Sequence, residues 1–270
     1  MTTAPPRAAP LGVFDSGIGG LTVARALFER LPRETVLYFG DTARVPYGPK
    51  SPDTVRRYSG EILALLLQRG VKAVVVACNT STAHALDFLR ERSPVPVVGV
   101  IEPGAGAAVD ATQSGRIGVI GTAGTIASGA YERAIQRLRP DARVTGVACP
   151  LFVPLVEEGW FDHPAAELIA REYLAPLRAA RVDTLVLGCT HYPLLKPLLA
   201  RVMGDVQLID SAAETANAVA HELEARRLAA DGTAPPAHRF VVSDDEPRFR
   251  AVGERFLGEK LGEVEVVALG

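Results

Sequence analysis

Apolar runs in this chain stop abruptly at polar residues, and the sharpest such point is Val74-Val75-Val76-Ala77 followed by Cys78-Asn79-Thr80. A short β-branched run bounded by polar residues is the pattern of a strand buried on both faces. Helical spacing follows from Ser81 to Arg90, and Asn79 to Ser81 carry the side-chain oxygens that cap a helix N-terminus. Cys78 is therefore predicted at the C-terminal end of a parallel strand, the edge at which open α/β sheets bind ligands. The device recurs much later. Thr184 to His191 reads as an apolar strand ending in Cys189, then a hydroxyl and an imidazole.

The remaining pattern is strand alternating with helix. Leu11 to Phe14 is a strand that runs into Asp15-Ser16-Gly17-Ile18-Gly19-Gly20, and Leu21 to Leu31 has helical periodicity. Strand, glycine turn and helix together bring backbone N–H groups close to a ligand. Val36 to Phe39 is the next strand. The segment from Gly40 to Lys50 is too long and too rich in Pro and Gly to be a simple turn, and loops of this kind often carry function. Ser51-Pro52 opens a helix with an apolar face of Val55, Tyr58, Ile62, Leu65 and Leu66. After the Cys78 strand and its helix comes a strand from Val95 to Ile101.

At Glu102-Pro103-Gly104 the pattern begins again. Arg116 to Thr125 resembles Leu11 to Gly17, and the chain length from each opening strand to its cysteine is nearly the same. Chance similarity would not put a thiol at the same strand end twice, so an internal duplication into two α/β halves is the reading taken. Between Thr125 and Cys189 lie a strand from Arg143 to Ala148, the segment Pro150 to Trp160, and a helix from Pro164 to Arg181. Beyond His191 come a helix to Met203, the strand Val206 to Asp210, a helix from Ala213 to Ala229 and a surface loop from Asp231 to Ala237. The tail alternates strand (Arg239 to Ser243), helix (Pro247 to Leu257) and strand (Val264 to Leu269). It has no equivalent in the second half and is expected to pack back on the first. The division expected is 1–99 plus 211–270 against 100–210, with crossings near Val100 and Asp210.

Composition narrows the function. The chain has 270 residues, 48% hydrophobic and 22% charged, with a net charge of −2, enough for two small α/β domains. No basic stripe is present to meet phosphates, so nucleic acid is not expected as the main partner. No apolar run approaches the roughly 18 residues of a membrane span. The first ten residues have no signal-peptide core and read as a frayed leader. With three cysteines and no signal, a cytoplasmic location with reduced thiols is the expectation. The five histidines are scattered and no CxxC occurs, so no metal is expected.

If the halves face each other, Cys78 and Cys189 project from opposite walls of one cleft. One thiolate can then take a proton from a carbon acid while the opposite thiol delivers another, which inverts the stereocentre. A free thiol titrates at about 8.5, so a small thiolate fraction is present at neutral pH. No lysine or cofactor motif lies near either cysteine, and no cofactor is expected. The flanking residues suit an amino acid. Asn79, Thr80 and Thr190 can hold carboxylates, Asp15 can accept from an ammonium group, and Ser16 with the Tyr47-Gly48 backbone can hold a distal carboxylate. His191 can help activate Cys189.

Asp15 to Gly20, Val45-Pro46-Tyr47-Gly48, Ala77-Cys78-Asn79-Thr80, Cys149 to Glu157 and Gly188 to Pro193 together resemble the cofactor-independent aspartate/glutamate racemase family, in order over nearly the whole chain. The resemblance is to its glutamate-specific members. It implies two pseudo-symmetric three-layer α/β/α domains with mostly parallel sheets and the active site in the cleft between them, usually as a homodimer. It implies interconversion of L- and D-glutamate, supplying D-glutamate for peptidoglycan and so for cell wall and cell shape. Cys78 would deprotonate D-glutamate and Cys189 L-glutamate. Asp15, Ser16, Tyr47, Gly48, Asn79, Thr80, Thr190 and His191 match the family's substrate contacts. Thr122 or Thr125 is a further contact, and Glu157 or Glu158 supports the second thiol; both choices stay open. Some members bind DNA gyrase, and nothing in this sequence supports or excludes that.

Other readings compete. Cys149 alone reads as a small buried hydrophobe, His84 as a packed helix residue, and His163, His221 and His238 as surface. Trp160 reads as packing at the cleft or a subunit contact. Two other functions fit the pattern: a racemase of the same fold acting on aspartate or another acidic amino acid, and a non-catalytic protein using the glycine turns as an anion cradle.

Overall fold

The computed structural model describes residues 5–232 and 235–269. Part of the leader, part of the 231–237 loop and the final residue lie outside the described residues. In chain order the elements are β1 (Leu11–Asp15), α1 (Leu21–Arg30), β2 (Val36–Gly40), α2 (Pro52–Gln68), β3 (Ala73–Val76), α3 (Asn79–Arg92), β4 (Val97–Gly99) and α4 (Ile101–Ala111). There follow β5 (Arg116–Gly121), α5 (Ala123–Ala127), α6 (Ala130–Leu138), β6 (Arg143–Ala148), α7 (Phe152–Glu157), α8 (Pro164–Ala179) and β7 (Thr184–Gly188). A 3₁₀ turn (Tyr192–Leu195), α9 (Lys196–Met203), β8 (Gln207–Asp210), α10 (Ser211–Ala225), β9 (Arg239–Val242), α11 (Glu246–Leu257) and β10 (Val264–Val266) complete the chain.

Two sheets form. One has six strands in the order β10-β9-β2-β1-β3-β4, the other four in the order β6-β5-β7-β8, and the pairings are parallel. The run β2-β1-β3-β4 repeats as β6-β5-β7-β8. In each, the chain leaves its first strand in one direction and returns on the other side to the third. The two switch points therefore lie between β1 and β3 and between β5 and β7, where a crevice opens at the strands' C-terminal ends.

Strand alternation explains the layers. Val13, Tyr38 and Val75 point into a core shared with α1, α10 and α11, whereas Phe14, Phe39, Val74 and Val76 point into a second core under α2 and α3. Both faces being apolar, the strands read as unbroken hydrophobic runs. The first core continues into the four-stranded sheet through Ile117, Val119, Leu185 and Leu187.

Three local expectations change. The strand expected over Val95 to Ile101 pairs only from Val97 to Gly99, because Pro94 and Pro96 lack the N–H a ladder needs. Ile101 instead opens α4, a helix hidden in a Gly- and Pro-containing stretch, with Pro103 tolerated in its first turn. The helix expected from Ala213 begins at Ser211, where the Asp210 carboxylate accepts from Ala212 N–H at 3.0 Å. The final strand ends at Val266 rather than Leu269.

Candidate active site

Register brings the first set of residues together. Phe14 pairs with Val76, and Ala77 N–H donates to Phe14 C=O at 2.9 Å. Asp15-Ser16 therefore ends beside Cys78. The cap of α3 differs from expectation: Cys78 itself is the N-cap, its Sγ accepting from Ser81 N–H at 3.4 Å, and Asn79 to Ser81 form the first turn. The Cys78 thiol donates to Ser16 Oγ at 3.6 Å. Burial, and then the nearby Asp15 charge, push this thiol up to about 11. Asp15 is buried, one oxygen accepting from Gly17 N–H at 3.0 Å and the other, Oδ1, without a partner. Burial raises its pKa, against the opposing pull of His191.

The second set is built on β7. Gly121 pairs with Gly188, so Thr122 and Cys189 emerge side by side. Cys189 Sγ lies 3.9 Å from His191 Nδ1, and His191 Nε2 lies 3.0 Å from Glu157 Oε1. Burial alone would lower the imidazole pKa, but its hydrogen bonds to Cys189 and Glu157 and their charges raise it to about 10. His191 is thus a buried cation at neutral pH. Glu157 is held below the usual carboxylate range; burial opposes this, and His191 and Arg248 outweigh it. Of the two acidic residues left open by the sequence, Glu157 contacts the imidazole, while Glu158 lies only 3.9 Å from Arg248.

The two sets meet. A Cβ built on Gly19 would stand 2.2 Å from Thr190 Oγ1, and Thr22 Oγ1 donates to Thr190 C=O at 3.2 Å. Only glycine at position 19 allows the β1–α1 turn to lie against the Cys189 loop. On the other flank, Gly124 N–H donates to Gly48 C=O at 2.9 Å, and Gly124 C=O lies 3.1 Å from His84 Nε2. Thr80 Oγ1 bonds both Thr122 (2.9 Å) and Thr125 (3.2 Å), which lie 3.0 Å apart. Asn79 Oδ1 accepts from Tyr131 O–H at 2.7 Å, leaving its NH₂ as the free end. Cys78 and Cys189 are 5% and 7% exposed, and the β1–α1 turn touches both segments, Ser16 at the Cys78 thiol and Gly19 against Thr190.

Tyr47 is buried and its phenol donates to Asp41, which also accepts from Arg44 Nε and Ser243 Oγ. Only the Tyr47 backbone is left to face a ligand. A cavity of about 420 Å³ opens beside Gly48 and Thr122, walled by Val45, Pro46, Val153 and Pro154. A larger one of about 610 Å³ lies between Pro94–Gly99 and α10 and holds none of these residues.

Sequence reading missed Arg248, Tyr131 and the cross-contact of His84. Arg248 and Tyr131 carry no motif, and their partners lie far away along the chain. Cys149 is buried, its thiol pKa raised by burial, as befits a small core residue. Among the described residues no group of three or more His, Cys, Asp or Glu is placed to hold a metal ion, and no helix is long and apolar enough to cross a membrane.

Twin parallel sheets with matched thiol-bearing strand ends define a class. Residues 17–219 match the family model described as Asp/Glu/Hydantoin racemase, and the chain belongs to that family. Among relatives, the glutamate racemase of Geobacter metallireducens is 56% identical over 260 residues, 96% of each chain. That of Neisseria meningitidis is 52% identical over 265 residues, 98% of each. Among solved structures, a glutamate racemase isoform of Bacillus anthracis superposes with a TM-score of 0.94 at 42% identity, covering 97% of this chain and 98% of that one. The glutamate racemase of Francisella tularensis, in complex with D-glutamate, gives 0.92 at 39% identity, with 97% and 98% covered.

Proposed function

We propose that this chain interconverts L- and D-glutamate with Cys78 and Cys189 as the two acid–base groups. The observation that carries the reading is that one turn, between β1 and α1, meets both strand-end thiol segments, Ser16 at the Cys78 thiol and Gly19 against Thr190 beside Cys189, in a chain 56% identical to a glutamate racemase over 96% of both lengths.

For L-glutamate, the Cys189 thiolate takes the Cα proton and becomes a thiol. The Cα electron pair delocalises into the α-carboxylate, and the Cys78 thiol protonates Cα from the opposite face, leaving Cys78 as thiolate. D-glutamate runs the same steps backwards. The flanking charges differ between the two thiols. His191, a buried cation, is a counter-ion for thiolate on Cys189, whereas Cys78 beside the Asp15 carboxylate stays a thiol up to about 11.

Substrate-holding roles follow from the free valences. Asp15 Oδ1, buried without a partner, accepts from the ammonium group. The Asn79 NH₂, oriented by Tyr131, and the Thr80 and Thr190 hydroxyls hold the α-carboxylate, with Thr122 and Thr125 behind Thr80. Ser16 and the Tyr47-Gly48 backbone hold the distal carboxylate. The domains we propose are 1–99 with 211–270, and 100–210, which the partition of strands between the two sheets supports. A homodimer, a cytoplasmic location and supply of D-glutamate to peptidoglycan belong to the same reading.

Aspartate as substrate is less supported. An aspartate racemase homologue of Pyrococcus horikoshii shares the fold at a TM-score of 0.54 but only 14% identity. The test is circular dichroism of L-glutamate and L-aspartate incubated separately with chelator-treated protein. The glutamate signal decays to zero and the aspartate signal persists. Loss of the aspartate signal alone would reassign the substrate, and no change in either would leave only an anion-binding protein.

A further inference from the structure

On the racemase reading above, we infer that Arg248 is a positioning residue for proton transfer at Cys189, acting through Glu157 and His191. Arg248 lies on α11, which packs against α1 and β10 on the side of the six-stranded sheet. Its Nη2 donates to Glu157 Oε2 at 3.0 Å, across 91 positions of sequence. The other Glu157 oxygen is the one 3.0 Å from His191 Nε2, and His191 Nδ1 is 3.9 Å from Cys189 Sγ.

The same helix touches this unit twice more. Arg255 Nη1 donates to Glu157 C=O at 3.4 Å, and the Phe256 ring stands edge-on to the His191 ring at 5.1 Å. One helix therefore fixes the backbone, the carboxylate and the ring that serve the second thiol. A carboxylate that must aim one oxygen at an imidazole is free to rotate until its other oxygen is held. Arg248 holds it. The Arg248 side chain is half exposed while that of Glu157 is 17% exposed, so water screens the arginine's charge and its main effect is on orientation.

Besides Arg255, several charged groups among the described residues face this unit. His191 faces Cys189 on its own segment and Asp15 at the end of β1. Arg248 also faces Glu158 and Asp245. Without Arg248, Glu157 swings toward solvent and the imidazolium loses its acceptor. Cys78, held by Ser16 and Ser81 on the opposite wall, is untouched. The substitution thus acts on one of the two proton transfers.

Two readouts test this on Arg248→Gln and Arg248→Lys. The first is an NMR titration of ¹⁵N-histidine in the intact protein, with His191 identified by its loss in His191→Gln. The second is the primary isotope effect on kcat/KM with Cα-deuterated L-glutamate and, separately, D-glutamate. The enantiomers have equal free energy, so kcat/KM itself must fall by the same factor in both directions. In Arg248→Gln the His191 pKa should fall by about one unit, tenfold in proton affinity. The isotope effect from L-glutamate should rise and that from D-glutamate fall, because the Cys189 step becomes more limiting. Arg248→Lys should restore most of both. An unchanged His191 titration, or isotope effects that move together, overturns the inference. Failure of wild-type protein to racemise glutamate defeats the racemase reading instead, whatever the titration gives.

Discussion

Gly19 and Thr190 stand so close that no side chain fits between them: a Cβ on Gly19 would lie 2.2 Å from Thr190 Oγ1 and 2.4 Å from His191 Nδ1. The loop after the first strand is thereby seated on the loop that carries the second thiol. Gly19→Ala must push these loops apart. A displacement of about 1 Å at reacting groups costs on the order of 100-fold in rate, and kcat/KM should fall by that much. Steady-state kinetics together with a thermal melt check it: activity drops far more than the melting temperature does.

Glu157 and Glu158 are adjacent in sequence and different in role. Glu157→Gln removes the charged acceptor of His191, a hydrogen bond worth about 1.5–3 kcal/mol, or roughly 10- to 150-fold in rate. Glu158→Gln touches only the outer side of Arg248 and should leave kcat within about twofold, since exposed pairs contribute 0–1 kcal/mol. Comparing kcat of the two variants decides between them; equal losses would remove Glu157 from the relay.

Tyr47→Phe should separate support from chemistry. The phenol donates to buried Asp41, which anchors the Asp41–Lys50 loop through Arg44 and Ser243. Loss of that bond should lower stability by about 1–3 kcal/mol. The Gly48 carbonyl, which receives Gly124 N–H, then sits on a looser loop. KM should rise more than kcat falls, and chemical denaturation with steady-state kinetics measures both.

The His191 pKa, raised from 6.5 to about 10, makes stability depend on pH with a definite sign. Between those values the folded protein holds a proton that the unfolded chain has lost. The stabilisation is complete below 6.5 and disappears as pH rises through about 10. Cys78, raised from 9.0 to about 11, adds a loss in the same direction, but only above pH 9. Melting temperature should therefore fall from pH 7 to pH 9 in wild type, and the slope over that window should flatten in His191→Gln. An identical slope in both would contradict the buried cation.

Much of this site was legible because its parts are local in sequence. The runs before Cys78 and Cys189 are apolar throughout, since both faces of each strand are covered, and the polar residues that follow fall at the switch points. Other features answer to contacts that sequence does not display. Cys78 displaces Asn79 as the cap because its sulfur meets Ser81 N–H once the strand ends at Val76. Helix α4 forms in a stretch rich in small residues because packing against α6 and α10 outweighs weak propensity. The choice between Glu157 and Glu158 depends on which side of one short helix faces His191.

Cys78→Ala and Cys189→Ala should each abolish racemisation, because a single thiol serves only one face of Cα. Polarimetry on each variant checks it, and normal turnover by either one would remove that thiol from the reaction.

The central claim is that separate groups on opposite faces remove and deliver the proton. L-glutamate converted by wild-type protein in ²H₂O, sampled early and analysed by chiral chromatography with mass spectrometry, tests it most directly. The D-glutamate formed should carry deuterium at Cα while the remaining L-glutamate keeps its protium. Early D-glutamate that retains the original protium would mean that one group shuttles the proton between faces, and the two-thiol account would be wrong.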